Sequence, residues 1–462
     1  MALPPASGCV PRGPRGGASD WAAVTPNVGT GAAAKPSVSL EFWLPGRQAD
    51  ADALAPFHRQ LAEETPAVAE VTTHLVANEE MMERLTAALA AGTPPDAARL
   101  KEYRLADLGA RGALLALDGL VARDTAVRLN DFTPQAVEGS RAAPGASGDD
   151  RTERPLLGLP DSHQLVALYW NRDLLARAGL DPDAPPGTWE ALRQAARSAA
   201  AAPPAAADTS GGAAGGEAKR WGMQFYEFSR REQTYCWFTE WVWRAGGEVW
   251  ARGGTDRTRA TLDTPAALRA LQFQVDLLRG DGTAVPPGAP VTELIANVAQ
   301  GRVGYWMTTA NAALAYERTA PGLRFGVGPL PPDRRDAHQL QHNALSVFRE
   351  SRHPDLAYRL LGFRAREDVQ ARWAADGAWL PVRPALWQRP PFSADERWRA
   401  IGALVHRPGN RTKPVVPEWE AFTAAALPPL LAAWRGEAAP KEALAAAERA
   451  ANAHLRAGTA AA

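Results

Sequence analysis

Cysteine is nearly absent. Cys9 and Cys236 are the only two in 462 residues, so there is no disulfide framework and no Cys/His set at metal-ligand spacing. No apolar run approaches the ~18 residues needed to cross a membrane. Neither sign of charge is in excess: Lys plus Arg and Asp plus Glu stand at 51 each. A nucleic-acid footprint or an acidic tail for a basic partner is therefore excluded, and a neutral ligand suits such a balance. The sequence also lacks G-x-S-x-G, a P-loop, a dinucleotide G-x-G-x-x-G after a strand, and H-E-x-x-H, which removes the common motif-bearing enzymes. Gly280-Asp281-Gly282 reads as a turn. Carboxylates are plentiful, but nothing in the order of residues places two together as glycoside hydrolysis requires.

Tryptophan, in contrast, is abundant, with 16 Trp against 7 Tyr. Most of these rings are expected in the core and a few in a binding site. The densest aromatic stretch is 221–250, where Cys236 sits beside Tyr235, Trp237 and Phe238 as a buried, inert thiol.

The length suggests two domains rather than one core. Residues 1–36 have no hydrophobic period and are expected to be disordered. From 37 to 120 the chain alternates. Val38–Leu44 reads as a strand, and Leu54, Phe57 and Leu61 mark a helix. Val71–Val76 is a second strand, followed by a helix carrying Met81, Met82, Leu85 and Leu89, and Ala97–Leu100 is a third strand. That alternation predicts a mostly parallel sheet with helices on both faces. Ligands then sit outside the carboxyl ends of the strands, at Trp43–Gln48, Ala77–Glu80 and Lys101–Arg104.

Residues 158–199 are the most informative. Gln164–Trp170 is a strand buried on both faces. Asn171 caps the next helix and Gly179 ends it; Pro185-Pro186-Gly187 turns, and Thr188 caps a second helix. Residues 200–219 are low in complexity and read as a surface insertion. Asp263-Thr264-Pro265 starts another helix.

The ordered strings ALYWNRDLLARAGLD…PPGTWEAL, PPDAARLKEYRLADLGARGALLALDGLV, ELIANVAQGRVGYWMTTANAALAYE and QHNALSVF…GAWLPVRPALW resemble extracellular (periplasmic) solute-binding proteins of ABC transporters. The resemblance is to the carbohydrate-binding class, related to maltose-binding protein, and covers about residues 37–425. It implies a two-lobed periplasmic-binding-protein fold of type II. Each lobe would be a mixed, mostly parallel sheet flanked by helices, with hinge strands between. The expected division is 37–160 with 290–332 in lobe 1, 161–289 with 333–392 in lobe 2, and 393–462 as helices packing across both.

The implied function is capture of a sugar or oligosaccharide in the inter-lobe cleft by hinge closure, and its delivery to permease subunits in the membrane. No cofactor, metal or nucleic acid is implied, and the chain is expected to act as a monomer outside the cytoplasmic membrane. No signal peptide is visible; Ala6-Ser7-Gly8-Cys9 resembles the end of a lipoprotein signal.

Carried over residue by residue, the resemblance puts polar ligand contacts at Lys101, Tyr103 and Arg104, and Trp43 after the first strand. Asp161, His163 and Gln164 face the cleft. Tyr235 and Trp237 stack, and Trp306 is the favoured aromatic. Gln341-His342-Asn343 stands in place of a glycine pair and a polar residue. Trp379 and Arg383 reach the cleft, with Trp419 a weaker candidate. The alternatives are a carbohydrate-active hydrolase, or a binding protein for a charged solute such as a polyamine or organic anion.

Overall fold

Strand–helix alternation begins with the first residues described. A computed structural model describes residues 37–46, 48–142, 154–204, 219–225, 231–253, 256–377, 379–412 and 419–460. Cys9, the segment 1–36 and most of the insertion at 200–219 lie outside them. β1 (Val38–Pro45), α1 (Gln48–Glu64), β2 (Val68–Val76), α2 (Met81–Ala90), β3 (Ala97–Lys101) and α3 (Glu102–Ala110) follow in order. Leu54, Phe57 and Leu61 are buried at helical spacing, as the sequence predicts. The strands β1, β2 and β3 pair in parallel. Two short helices, α4 (Asp118–Val121) and α5 (Pro134–Gly139), lead to the long strand β4 (Leu159–Asn171).

β4 carries the chain into a second set of elements. Asn171 accepts from the Leu174 amide at 2.9 Å and starts α6 (Arg172–Arg177); Gly179 follows at φ 72°. The Thr188 hydroxyl accepts from Ala191 and starts α7 (Trp189–Ala200). Next come β5 (Trp221–Gln224), α8 (Arg231–Arg244), the hairpin β6 (Trp250–Gly253) with β7 (Asp256–Ala260), and α9 (Pro265–Val275). After them come α10 (Val291–Ala299), β8 (Val303–Thr309), α11 (Ala310–Thr319) and β9 (Phe325–Gly328). β10 (His338–Val347) then returns, antiparallel to both β4 and β3. The remainder is α12 (Pro354–Ala365), α13 (Glu367–Gly377), α14 (Glu396–Val405), β11 (Asn410–Arg411), α15 (Trp419–Arg435) and α16 (Pro440–Ala460).

One sheet runs through the molecule in the order β2-β1-β3-β10-β4-β8-β5, with β9 joining β4 and β11 joining β10. The chain crosses to the second half through β4 and comes back through β10, so everything between those strands stays in the second half. This corrects the expected division. Residues 290–332 belong to the second half, because β8 pairs with β4 over Val166–Trp170 and with β5. The helices of 354–377 belong to the first, where Leu360, Leu361 and Trp373 share a core with Leu54 and Phe57. The helices α15 and α16 do not straddle the halves evenly; their buried faces join the core built on α8 and α9.

Candidate functional site: the cleft over the crossing strands

The pairing registers locate the cleft. β3 ends at Lys101, opposite Asn343 of β10, and Asn343 lies opposite Ser162 of β4. β8 arrives from the other side and ends at Thr309, opposite Val166 of β4. The carboxyl ends of both sets of strands therefore face each other across the four steps from Ser162 to Val166, roughly 13 Å of strand. Gln164 lies midway, and it alone of the β4 residues is not buried.

Gln164 pairs with Gln341 across the strands, and the Gln341 amide donates to the side chain of Gln339, two residues back on the same face. Three uncharged amides thus line one face of the crossing. Asn343 joins them through its amide, which donates to the Ser162 hydroxyl at 3.3 Å. At the end of β3, the Lys101 ammonium lies 5.7 Å from the Tyr103 ring centre. One Glu102 oxygen accepts the His342 backbone amide at 3.2 Å, and its other oxygen is buried with no hydrogen-bond partner among the described residues. Tyr103 packs into the core of the second half with Tyr235, Trp237 and Trp419. The Tyr235 ring meets Trp419 edge-on at 5.8 Å. Trp237 lines a small apolar cavity with Phe225, Trp241 and Met307. Trp43 stays partly exposed at the carboxyl end of β1.

Other expected contacts lie elsewhere, each for a physical reason. Trp306 pairs with Tyr169, five residues beyond Gln164, so two-residue alternation turns it to the opposite face. There it is fully buried, stacked on Tyr169 at 5.9 Å and edge-on to Tyr316 and Phe325. It is a core residue. His163 and His342 form the next cross-strand pair and also turn away from the amide face. The His163 ring bonds to the Thr133 hydroxyl at 2.8 Å, and the His342 ring lies against Gly139, where a Cβ would meet it at 1.9 Å. Burial, then the neighbouring His342, lowers the His163 pKa to about 3, so the ring is neutral at physiological pH.

Asp161 is clamped between Arg99 and Arg364, each at 2.7 Å. Burial alone would raise its pKa, but the two guanidinium charges outweigh this and hold the carboxyl below its ordinary range. The Trp379 ring is engaged by the Arg99 guanidinium, 3.7 Å from its centre, and by Trp373, nearly parallel at 5.9 Å. Arg383 donates twice to the Ala365 carbonyl and once to Asp131, which ties down the end of α12. Arg104 is buried and bonded to Asn78 and Glu420.

Residues the sequence reading missed are Glu102, Gln339 and Glu420. The first two were within reach of it: Glu102 adjoins two named contacts, and Gln339 stands two places before Gln341. Nothing local marks Glu420, which meets Arg104 over a separation of 316 residues.

Comparison with known proteins agrees with this architecture. The solved solute-binding protein of an ABC transporter from Thermotoga lettingae, bound with alpha-D-tagatose, superposes with a TM-score of 0.75 at 20% identity, covering 91% of this chain and 100% of that one. The GacH receptor of Streptomyces glaucescens, solved unliganded and with acarbose, gives 0.74 at 20% identity over 91% and 99%. In sequence, a putative binding protein of Brucella abortus is 24% identical over 74% of each chain. The sn-glycerol-3-phosphate-binding periplasmic protein UgpB of Pectobacterium atrosepticum is 26% identical over 65% of this chain and 66% of its own. Among the described residues no helix is long and apolar enough to cross a membrane. The model of the bacterial extracellular solute-binding protein family matches residues 60–371. Its members bind solutes and are not catalysts, so the hydrolase alternative falls. With most of its length matched by that model and the crossing-strand fold in place, the chain belongs to the bacterial extracellular solute-binding protein family.

Proposed function

We propose that the chain captures a carbohydrate, a sugar or oligosaccharide, over the amide face of β4 and β10, and hands it to membrane permease subunits. The observation that carries this reading is Gln164, the one residue of β4 that is not buried, lying where the strand ends of both halves converge. A primary amide offers two donors and an acceptor without charge, which matches the mixed donor–acceptor character of sugar hydroxyls. Glu102 adds a carboxylate oxygen with acceptor capacity to spare. Trp43, partly exposed at the carboxyl end of β1, supplies aromatic surface, in line with sites that combine apolar faces and a few placed polar groups. The tagatose and acarbose complexes of proteins with this fold support the same ligand class.

Capture works by hinge closure. The two crossing strands join the halves, and a solute that touches both favours the closed arrangement by its differential affinity. The chain acts as a monomer, outside the cytoplasmic membrane, without a cofactor.

The test is a thermal-shift panel of mono- and oligosaccharides, with polyamines, organic acids and sn-glycerol 3-phosphate as controls. A ligand at 100 times its Kd stabilises by about 2.7 kcal/mol, a shift of a few degrees in a chain this long. A shift with one group of sugars supports the reading. The second reading, a phosphorylated or otherwise anionic solute, is favoured by the cations Lys101 and Arg104 at the end of β3 and by the likeness to UgpB. A shift with the anions alone would replace the first reading with it.

A further inference from the structure

The two halves are tied by more than the crossing strands. Arg104 stands in the first turn of α3, in the first half. Glu420 stands in the first turn of α15, whose buried face joins the core of the second half around α8 and α9. Arg104 Nε donates to Glu420 Oε1 at 2.7 Å, over a separation of 316 residues. One residue before each charge is an aromatic ring, Tyr103 and Trp419, and both rings belong to one apolar core. An ion pair backed by apolar packing therefore joins α3 to α15. The helix α15 lies beyond residue 371, where the match to the family model ends.

The two charges are held unequally. The Arg104 side chain is 2% exposed, and it keeps Nη1 on Asn78 Oδ1 at 3.2 Å and Nη2 on the Asn78 carbonyl at 2.5 Å. Asn78 follows β2, so those bonds lie within the first half. The Glu420 side chain is 31% exposed. With the halves apart, Arg104 stays bonded on its own side and Glu420 passes into water. Neither is left as a buried charge without a partner, the outcome that makes an enclosed pair costly to break. This bond is thus one that the hinge can make and break.

We propose that Glu420 is a positioning residue for capture. It latches α15 of the second half to Arg104 of the first and so sets how far the chain is closed, whatever the solute. The inference rests on the hinge-closure reading and deepens it. The latch acts in the closed arrangement alone, so its effect falls on the ratio of closed to open forms.

The experiment is small-angle X-ray scattering, with no solute added, on the wild type, Glu420→Gln, Arg104→Gln and the double variant. Melting midpoints confirm that each is folded, and Glu420→Ala serves as a second version of the Glu420 change. Loss of the pair is expected to move the closed-to-open ratio roughly fivefold toward open, read as a larger radius of gyration. The Asn78 bonds lie within one half and do not enter this ratio. The two single variants are therefore expected to expand alike, and the double variant no further than either. Equal radii for the wild type and the Glu420 variants overturn the latch, as does a double variant that expands by the sum of the two single changes. A shared radius that still contracts with the sugar found in the thermal-shift panel leaves hinge closure standing without the latch, so the two failures are distinguishable.

Discussion

Asp161 and Gln164 stand three residues apart on one strand and live in opposite conditions. Asp161 is enclosed by two arginines, themselves lying over Trp379 and Trp373 at 3.7 and 4.5 Å. Gln164 is open to the cleft, opposite another amide. The difference shows how the crossing divides its work. Charges here are spent on fixing the geometry of the chain as it leaves the first half. On β4 the residue left facing the opening is uncharged. A charged side chain in a family-like position is thus no guide to ligand contact until its partners are known.

The sharpest break of this comparison is Asp161→Asn. It leaves two buried guanidinium groups sharing no carboxylate, and is expected to cost about 3–5 kcal/mol of stability, read from the urea midpoint. Gln164→Ala should leave that midpoint nearly unmoved. Trp306→Ala tests the face assignment. Loss of a fully buried tryptophan is expected to cost about 3–5 kcal/mol of stability, while the folded fraction keeps its solute affinity in direct titration.

The histidines sharpen the same contrast through pH. His163 and His58 are both lowered to about 3 by burial, from an ordinary 6.5. Between these values the unfolded chain takes up protons that the folded chain refuses. Stability is therefore full above about pH 6.5 and falls as pH drops toward 3, by about 1.4 kcal/mol per pH unit for each such histidine. His163→Gln is expected to flatten the wild-type slope by one proton in that window, as measured by denaturation at stepped pH. The smallest effect is at the amides. Gln164→Ala removes a neutral hydrogen bond worth about 0.5–1.5 kcal/mol, so solute affinity is expected to fall by roughly twofold to thirteenfold.

Much of the fold was legible because its signals are local. Asn171, Gly179 and Thr188 act where the caps and turn residues placed them. The apolar run 164–170 lies inside β4, and the apolar faces of α1 and α2 are buried. The lobe division was not legible. It depends on which strand makes the return crossing, a long-range pairing of β10 with β4 that no local pattern encodes. Of the candidate site, Gln164, Gln341 and Lys101 lie where strand register puts them beside the opening. Trp306 does not: the resemblance supplied a segment, but the face of a strand changes with every residue. Asp161, Trp379 and Arg383 were read as free polar or aromatic groups, whereas Arg99, Arg364 and the Ala365 carbonyl, distant in sequence, occupy them.

The most direct test of the account is to titrate one sugar, identified in the panel, into Gln164→Ala and Trp306→Phe side by side. The account expects weakened binding in the first and wild-type affinity in the second. Wild-type affinity at Gln164→Ala together with lost binding at Trp306→Phe would contradict it and move the site to the other face of the crossing.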